Sequence, residues 1–313
     1  MKKRPIFTVL KSGLMTTIQD HGRWGFQQYG IVVSGAMDPF SYQIANLLVG
    51  NNRNDSCLEI TMLGPVLKAM DNLLIAITGA NLMPKINGKK VEMWRSLRVQ
   101  KDDILTFEGL ENGMRSYLSI DGGIDSPIII GSKSTYVAGG LGNALQKEDV
   151  IYGGTTQQQS LFNRSLNPKH IPKYEKNICC RIILGPHEHL FTDEGITTFL
   201  KSTYTLSNKL DRMGYRLEGP KIQHVNTADI ISEPVPFGGI QVPNNGQPII
   251  LMADHQTTGG YSMIATIISV DIPKLAQAQP GTKIRFKEID IFKAQKLYRK
   301  MEGFFKGIYE TNR

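Results

Sequence analysis

Cysteine is scarce in this 313-residue chain. The three thiols, Cys57, Cys179 and Cys180, are odd in number, include an adjacent pair and lack metal-site spacing. A disulfide framework and a zinc module are therefore excluded, and the cysteines are read as reduced. Long apolar runs are also missing. The longest, residues 73–77 and 263–270, are strand-sized and fall far short of the roughly 18 residues that a membrane span needs. The apolar segment from Pro5 to Leu10 is too short and too strand-like for a secretory leader. The expectation is a cytoplasmic protein that does not bind membranes.

A net charge of +8 raises the question of nucleic acid, but the body of the chain has no excess of either sign. Lys2, Lys3 and Arg4 supply +3, and residues 283–313, with nine basic against four acidic side chains, supply +5; positions 5–282 carry 24 of each sign. A nucleic-acid reader would set basic residues along one face with aromatic stacking partners. No such run occurs, so nucleic acid is not expected as a partner.

Several nucleotide and metal signatures fail residue by residue. Gly131-Ser-Lys-Ser-Thr135 imitates a phosphate-binding loop but has Ser132 where the second glycine belongs and Pro127 where the first belongs. It can still gather an anion on backbone amides, Lys133 and hydroxyls, or serve as a polar turn. Gly139-Gly-Leu-Gly142 lacks the third glycine of a dinucleotide fingerprint. His187-Glu-His189 is the one close histidine pair; with no third ligand nearby, and lying between Gly185-Pro186 and a helix start, it reads as a solvated turn, so no metal site is expected. No Gly-x-Ser-x-Gly surrounds His21 or His255.

What is present is a β pattern. Gly and Pro recur about every ten residues between short β-branched runs such as residues 73–78, 116–120 and 248–252, which predicts a mainly β fold with a few short helices. Asp38 as N-cap, Pro39 in the first turn and the stripe Phe40, Ile44, Leu47, Leu48 predict one helix ending at Gly50. Thr192 opens a second, carrying Ile196, Phe199 and Leu200. A third runs through residues 289–313, where Ala294, Leu297, Tyr298, Met301, Phe304, Phe305 and Ile308 repeat at helical spacing on a basic background that packs on the protein itself or on a partner. The polar stretch Thr155–Lys176 is the linker candidate, giving an N-terminal half over 1–160, a C-terminal half over 177–288 and the terminal helix.

Three clusters place polar side chains beside permissive glycines. The first joins residues 16–23, with Asp20 and Arg23, to residues 33–38, with Ser34 and Asp38. The second holds Arg212 and Arg216; the third runs from Glu233 through Gln241 to Asp254, Gln256, Thr257 and Thr258. Loops emerging from apolar strands commonly build binding sites, and paired arginines among carboxamides suit a small polar or phosphate-bearing ligand.

The same clusters carry a resemblance. Thr17-Ile-Gln-Asp-His-Gly-Arg23, Ser34-Gly-Ala-Met-Asp38, Leu58-Glu-Ile60, Gly64-Pro65, Thr78-Gly-Ala80, Gly122-Gly-Ile124, Phe191-Thr-Asp193, residues 211–220, Gly239-Ile-Gln-Val-Pro243, residues 254–261 and Pro280-Gly281 resemble the family known as allophanate hydrolase subunit 2, Kip antagonist or the C-type subunit of 5-oxoprolinase. The chain departs from that pattern where His187-Glu-His189 follows Gly-Pro in place of Gln or Asp.

The resemblance implies two cyclophilin-like β-barrel halves and an ATP-dependent lactam hydrolase subunit that is inactive alone. It would open 5-oxoproline to glutamate with a subunit-1, Kip inhibitor-like partner and a third 5-oxoprolinase subunit, using ATP with magnesium. Under that reading Arg23, Arg212 and Arg216 meet phosphate or substrate carboxylate. Gln241, Gln256 and Thr257 read the lactam. Asp20, Glu233 and Asp254 transfer protons or hold the magnesium of ATP, and Ser34, Asp38 and Thr258 complete the polar lining. The alternatives are the carboxyltransferase part of a urea carboxylase system, with biotin carried on another protein because this chain lacks a Met-Lys-Met attachment sequence, and a non-catalytic antagonist of a sensor-kinase inhibitor.

Overall fold

The five consecutive apolar residues at the start of Leu73–Asn81 form a strand that is buried along nearly its whole length. Such a run, without polar alternation, needs cover on both faces of its sheet. A computed structural model describes residues 4–154 and 163–311. Lys2, Lys3 and positions 155–162 of the expected linker lie outside the described residues, as do 312 and 313. The chain divides into one unit of residues 1–23, 34–174 and 305–313 and another of residues 24–33 and 175–304.

In the first unit the strands are β1 (Arg4–Lys11), β2 (Met15–Gln19), β3 (Cys57–Thr61), β4 (Val66–Ala69), β5 (Leu73–Asn81), β6 (Pro84–Ile86), β7 (Lys89–Lys90), β8 (Ser96–Val99), β9 (Ile104–Phe107), β10 (Asn112–Ile120) and β11 (Val150–Gly153), with helix α1 (Pro39–Leu48) between β2 and β3. They form a six-stranded sheet, β11-β1-β4-β9-β6-β7, and a five-stranded sheet, β2-β3-β10-β5-β8. Ile6, Phe7, Val9, Leu67 and Leu105 from the first sheet and Leu58, Ile60, Ile75, Ile77 and Leu118 from the second share one core. The opposite face of β10 and β5 is covered by α1, where Tyr42, Ala45, Cys57 and Tyr117 pack together. Asp38 caps α1 as expected: its carboxylate accepts from the Ser41 amide at 2.9 Å, and Pro39 occupies the first turn.

In the second unit β12 (Asn177–Leu184), β13 (Tyr204–Leu210), β14 (Gly214–Glu218), β16 (Gly239–Gln241), β17 (Ile249–Leu251), β19 (Met263–Ile267) and β20 (Lys283–Glu288) close a seven-stranded barrel in the order β12-β19-β16-β17-β14-β13-β20. The parallel pairing of β12 with β20, from Asn177↔Lys283 to Ile182↔Glu288, completes the ring. A separate ribbon joins β15 (Asp229–Pro234) to β18 (Thr258–Tyr261). Helices α2 (Asp193–Lys201) and α3 (Ile272–Ala276) belong to this unit. The expected Thr192 cap is formed, its hydroxyl accepting from the Gly195 amide at 2.9 Å. The last helix, α4 (Ile291–Thr311), ends in the first unit, where Phe305 is 1% exposed and packs its ring 5.7 Å from that of Phe40.

The expected mainly β fold with few short helices is therefore what forms. Closure differs between the units: the second is a barrel, the first a pair of sheets around one core. No helix of the described residues is long and apolar enough to cross a membrane.

Candidate functional site

In the first unit the anion-gathering turn finds its anion inside the protein. Asp20, at the end of β2, accepts at Oδ1 from the Gly22 amide (2.8 Å), the Ser132 hydroxyl (2.6 Å) and the Ser134 hydroxyl (2.5 Å), and at Oδ2 from the Lys133 amide (2.7 Å). Burial alone would push the Asp20 carboxyl up, but these bonds to the charged form outweigh it and hold the group below its ordinary value. The imitation phosphate loop thus binds a carboxylate of its own chain. Arg23, 1% exposed, donates to the Ser134 and Ile129 carbonyls, and Ser34, at a φ of +58°, donates to the Thr135 carbonyl. Asp20, Arg23 and Ser34 are thereby brought together around residues 129–135. This geometry favours anchoring over proton transfer.

Asp38 belongs to a neighbouring buried network. Its amide donates to the Tyr117 hydroxyl at 2.8 Å, and that hydroxyl donates to Glu59 Oε2, also at 2.8 Å. Glu59 Oε2 accepts the Met37 amide as well, and Arg115 Nε lies 3.9 Å from Oε1. Burial, followed by the charges of Glu59 and Asp38, raises the Tyr117 phenol well above its usual value. Sequence reasoning did not single out Glu59, Tyr117 or Arg115 as a group. The available signal was a lone carboxylate between Leu58 and Ile60 in an otherwise apolar strand, since a buried charge demands partners.

In the second unit Arg212 precedes β14, Gln241 ends β16 and Asp254 follows β17. Arg212 and Asp254 are joined by two bonds, Nε to Oδ2 at 2.8 Å and Nη2 to Oδ1 at 2.9 Å, and both side chains are largely buried. The neighbouring His255 presents Nδ1 to the Met252 carbonyl (2.6 Å) and Nε2 to the Val235 carbonyl (3.2 Å). Burial holds its imidazole below the ordinary value against the pull of those two carbonyls. Gln241, 2% exposed, donates to the Tyr261 carbonyl at 3.2 Å and accepts from the Gln256 carboxamide at 3.3 Å. Gly259 lies over it so closely that a Cβ there would be 2.3 Å from Gln241 Nε2. Thr257 accepts the Val235 amide on its carbonyl, and Thr258 pairs with Pro234 across the ribbon. Arg216 stands apart: it alternates with buried Tyr215 and Leu217 on β14 and is exposed.

Glu233, on β15 opposite Gly259, accepts at Oε1 from His187 Nε2 at 2.9 Å. His187 Nδ1 in turn accepts the Met263 amide at 3.0 Å. An imidazole nitrogen that accepts a backbone N–H carries no proton, so the ring proton sits on Nε2 and points at Glu233. The turn expected at residues 187–189 is present, followed by a 3-10 turn over Glu188–Leu190. The His187 ring, however, is not solvated: at 12% exposure it is held between the barrel and the ribbon. What the sequence hid was the partner, 46 positions away.

Among the described residues, no group of three or more His, Cys, Asp or Glu is placed to hold a metal ion. Cys57 and Cys180 are buried and Cys179 is exposed, all three as free thiols.

Residues 29–288 match the family described as carboxyltransferase domain, subdomain A and B. The C-type subunit of the Escherichia coli 5-oxoprolinase is 35% identical over 304 residues, covering 96% of each chain. Among solved structures, the urea carboxylase of Kluyveromyces lactis superposes with a TM-score of 0.92 at 28% identity, over 98% of this chain. The protein TTHA0988 does so with 0.85 at 30% identity, over 92% of it. This chain spans 29% of that urea carboxylase chain and 56% of that TTHA0988 chain.

Proposed function

The chain belongs to the carboxyltransferase domain family, subdomains A and B, and on that premise we propose that it is the C-type subunit of a 5-oxoprolinase, a part of a hydrolase system that opens 5-oxoproline to glutamate. The observation that carries this reading is the end-to-end match to a stand-alone protein of that name.

A lactam is a stable amide, and ATP supplies the activation. Transfer of the γ-phosphoryl group to the lactam oxygen releases ADP and leaves an electron-poor carbon. Water adds to that carbon, and the C–N bond breaks with its electron pair and a proton going to nitrogen. A second water then releases phosphate from the resulting acyl phosphate, leaving glutamate. Catalysis needs a group that moves protons and groups that hold the ring.

This chain contributes unequally to those needs. Asp20 and Asp254 are committed to four donors and to Arg212, respectively. Glu233, whose side chain is 42% exposed, is the carboxylate best suited to proton transfer. Gln241 and Gln256 present linked carboxamides suited to a lactam's N–H and C=O. Exposed Arg216 is the guanidinium left for a phosphate or a substrate carboxylate. Arg23, engaged with the Ser134 and Ile129 carbonyls, positions its loop instead. ATP with magnesium enters as co-substrate, and the rest of the assembly is a subunit-1-type protein and a third 5-oxoprolinase subunit.

A second reading, carboxyl transfer from carboxybiotin held on another protein, is favoured by the close superposition on urea carboxylase. The test between them is ADP release on addition of 5-oxoproline to this chain with its two partners. Release that depends on the lactam supports the hydrolase; carboxyl transfer without it supports the second reading.

A further inference from the structure

We propose that His187 is a positioning residue for Glu233: it fixes the carboxylate for proton transfer by donating from Nε2 while the Met263 amide holds its other nitrogen. The inference rests on the 5-oxoprolinase reading and adds to it a residue that holds the proposed proton-transfer carboxylate.

The geometry is directional. β15 pairs with β18 and lies outside the barrel ring. Within that ribbon Ile231, two residues from Glu233, is 94% exposed, so packing by its neighbours does little to set where Glu233 points. The bond from His187 does so, because His187 is itself anchored to β19 through the Met263 amide at 3.0 Å. The relay thus runs from barrel backbone through a ring of fixed tautomer to one carboxylate oxygen, Oε1. With Oε1 held, Oε2 is the oxygen left to take a proton from the water that adds to the activated lactam carbon, and that proton then passes to the ring nitrogen as the C–N bond breaks. Glu233 is restored, and no external oxidant or reductant is involved.

Two substitutions separate positioning from packing. In His187→Gln the carboxamide nitrogen reaches the place of Nε2 and still donates to Glu233. In His187→Asn the side-chain oxygen can accept from the Met263 amide as Nδ1 does, but the donor to Glu233 is gone. Each variant is assayed in the full complex with ATP and 5-oxoproline, with urea unfolding as the check on folding. The expected result for His187→Asn is a fall in kcat of about tenfold to a hundredfold with KM within about twofold, and recovery of most of that rate in His187→Gln. Full activity in His187→Asn, or an equal loss in both variants, overturns the inference while leaving the function intact. A silent wild-type complex overturns the function and this role with it. Imidazole ¹⁵N spectra of the isolated chain give an independent reading: a proton on Nε2 whose signal shifts in Glu233→Gln supports the relay, and a proton on Nδ1 overturns it.

Discussion

The guanidinium of Arg212 grips both carboxylate oxygens of Asp254, at 2.8 and 2.9 Å, while the Asp254 amide donates to the Arg212 carbonyl at 2.7 Å. Two segments 42 positions apart are thus tied by backbone and side chain at once. Arg212→Ala leaves a buried carboxylate without its counter-charge and is expected to destabilise the chain by about 3 kcal/mol, read as a lower urea midpoint. Arg212→Lys keeps the charge but not the fork and should lie between wild type and Ala. A midpoint unchanged in Arg212→Ala would show that the pair holds nothing in place.

Asp20→Asn tests the anchoring role in the first unit. The amide group turns two protons toward a site furnished with donors from Gly22, Ser132, Lys133 and Ser134. A loss of about 2 to 4 kcal/mol in unfolding free energy is expected. A variant that folds as stably as wild type yet loses all turnover would instead make Asp20 a reacting group.

Gly259→Ala probes the carboxamide pair without touching a charged residue. The new methyl would meet Gln241 Nε2 at 2.3 Å, and the flexible end of Gln241 can yield only by leaving the Tyr261 carbonyl and the Gln256 side chain. The expected outcome is a folded protein whose KM for 5-oxoproline rises by about tenfold or more. An unchanged KM would exclude Gln241 and Gln256 from holding the ring.

Acid should weaken the fold in two stages. His255 and His224 have imidazoles held below their ordinary 6.5 by burial, so the unfolded chain takes up protons first. That stability is complete above about pH 6.5 and is lost as pH falls below it. Asp20 and Asp271 are held below 3.8; in both, burial pushes up and hydrogen bonds outweigh it. Their contribution is present above 3.8 and disappears as pH falls through their folded values. Urea midpoints measured between pH 8 and pH 5 should decline below pH 6.5; a midpoint constant across that range would contradict the first stage.

Much of the fold was legible because its signals are local. Asp38, Pro39 and the following apolar stripe announced α1, and Thr192 announced α2. The closing pair of the barrel was not legible, since nothing in residues 177–182 says that they run parallel to residues 283–288. For the candidate site, the sequence supplied the polar residues but not their partners. Asp20 and Ser134 are 114 positions apart, and the burial that makes Asp20 an anchor exists only after folding. The same holds for His187, whose ring looks like a turn residue until Glu233 and the Met263 amide are brought to either side of it.

The proposed function stands or falls on ADP release from ATP by this chain together with its subunit-1-type and third partners, with and without 5-oxoproline. Release is expected to require the lactam and every protein of the assembly, and to yield one glutamate per ADP. Tight assembly of the complex with no lactam-dependent ADP release would contradict it.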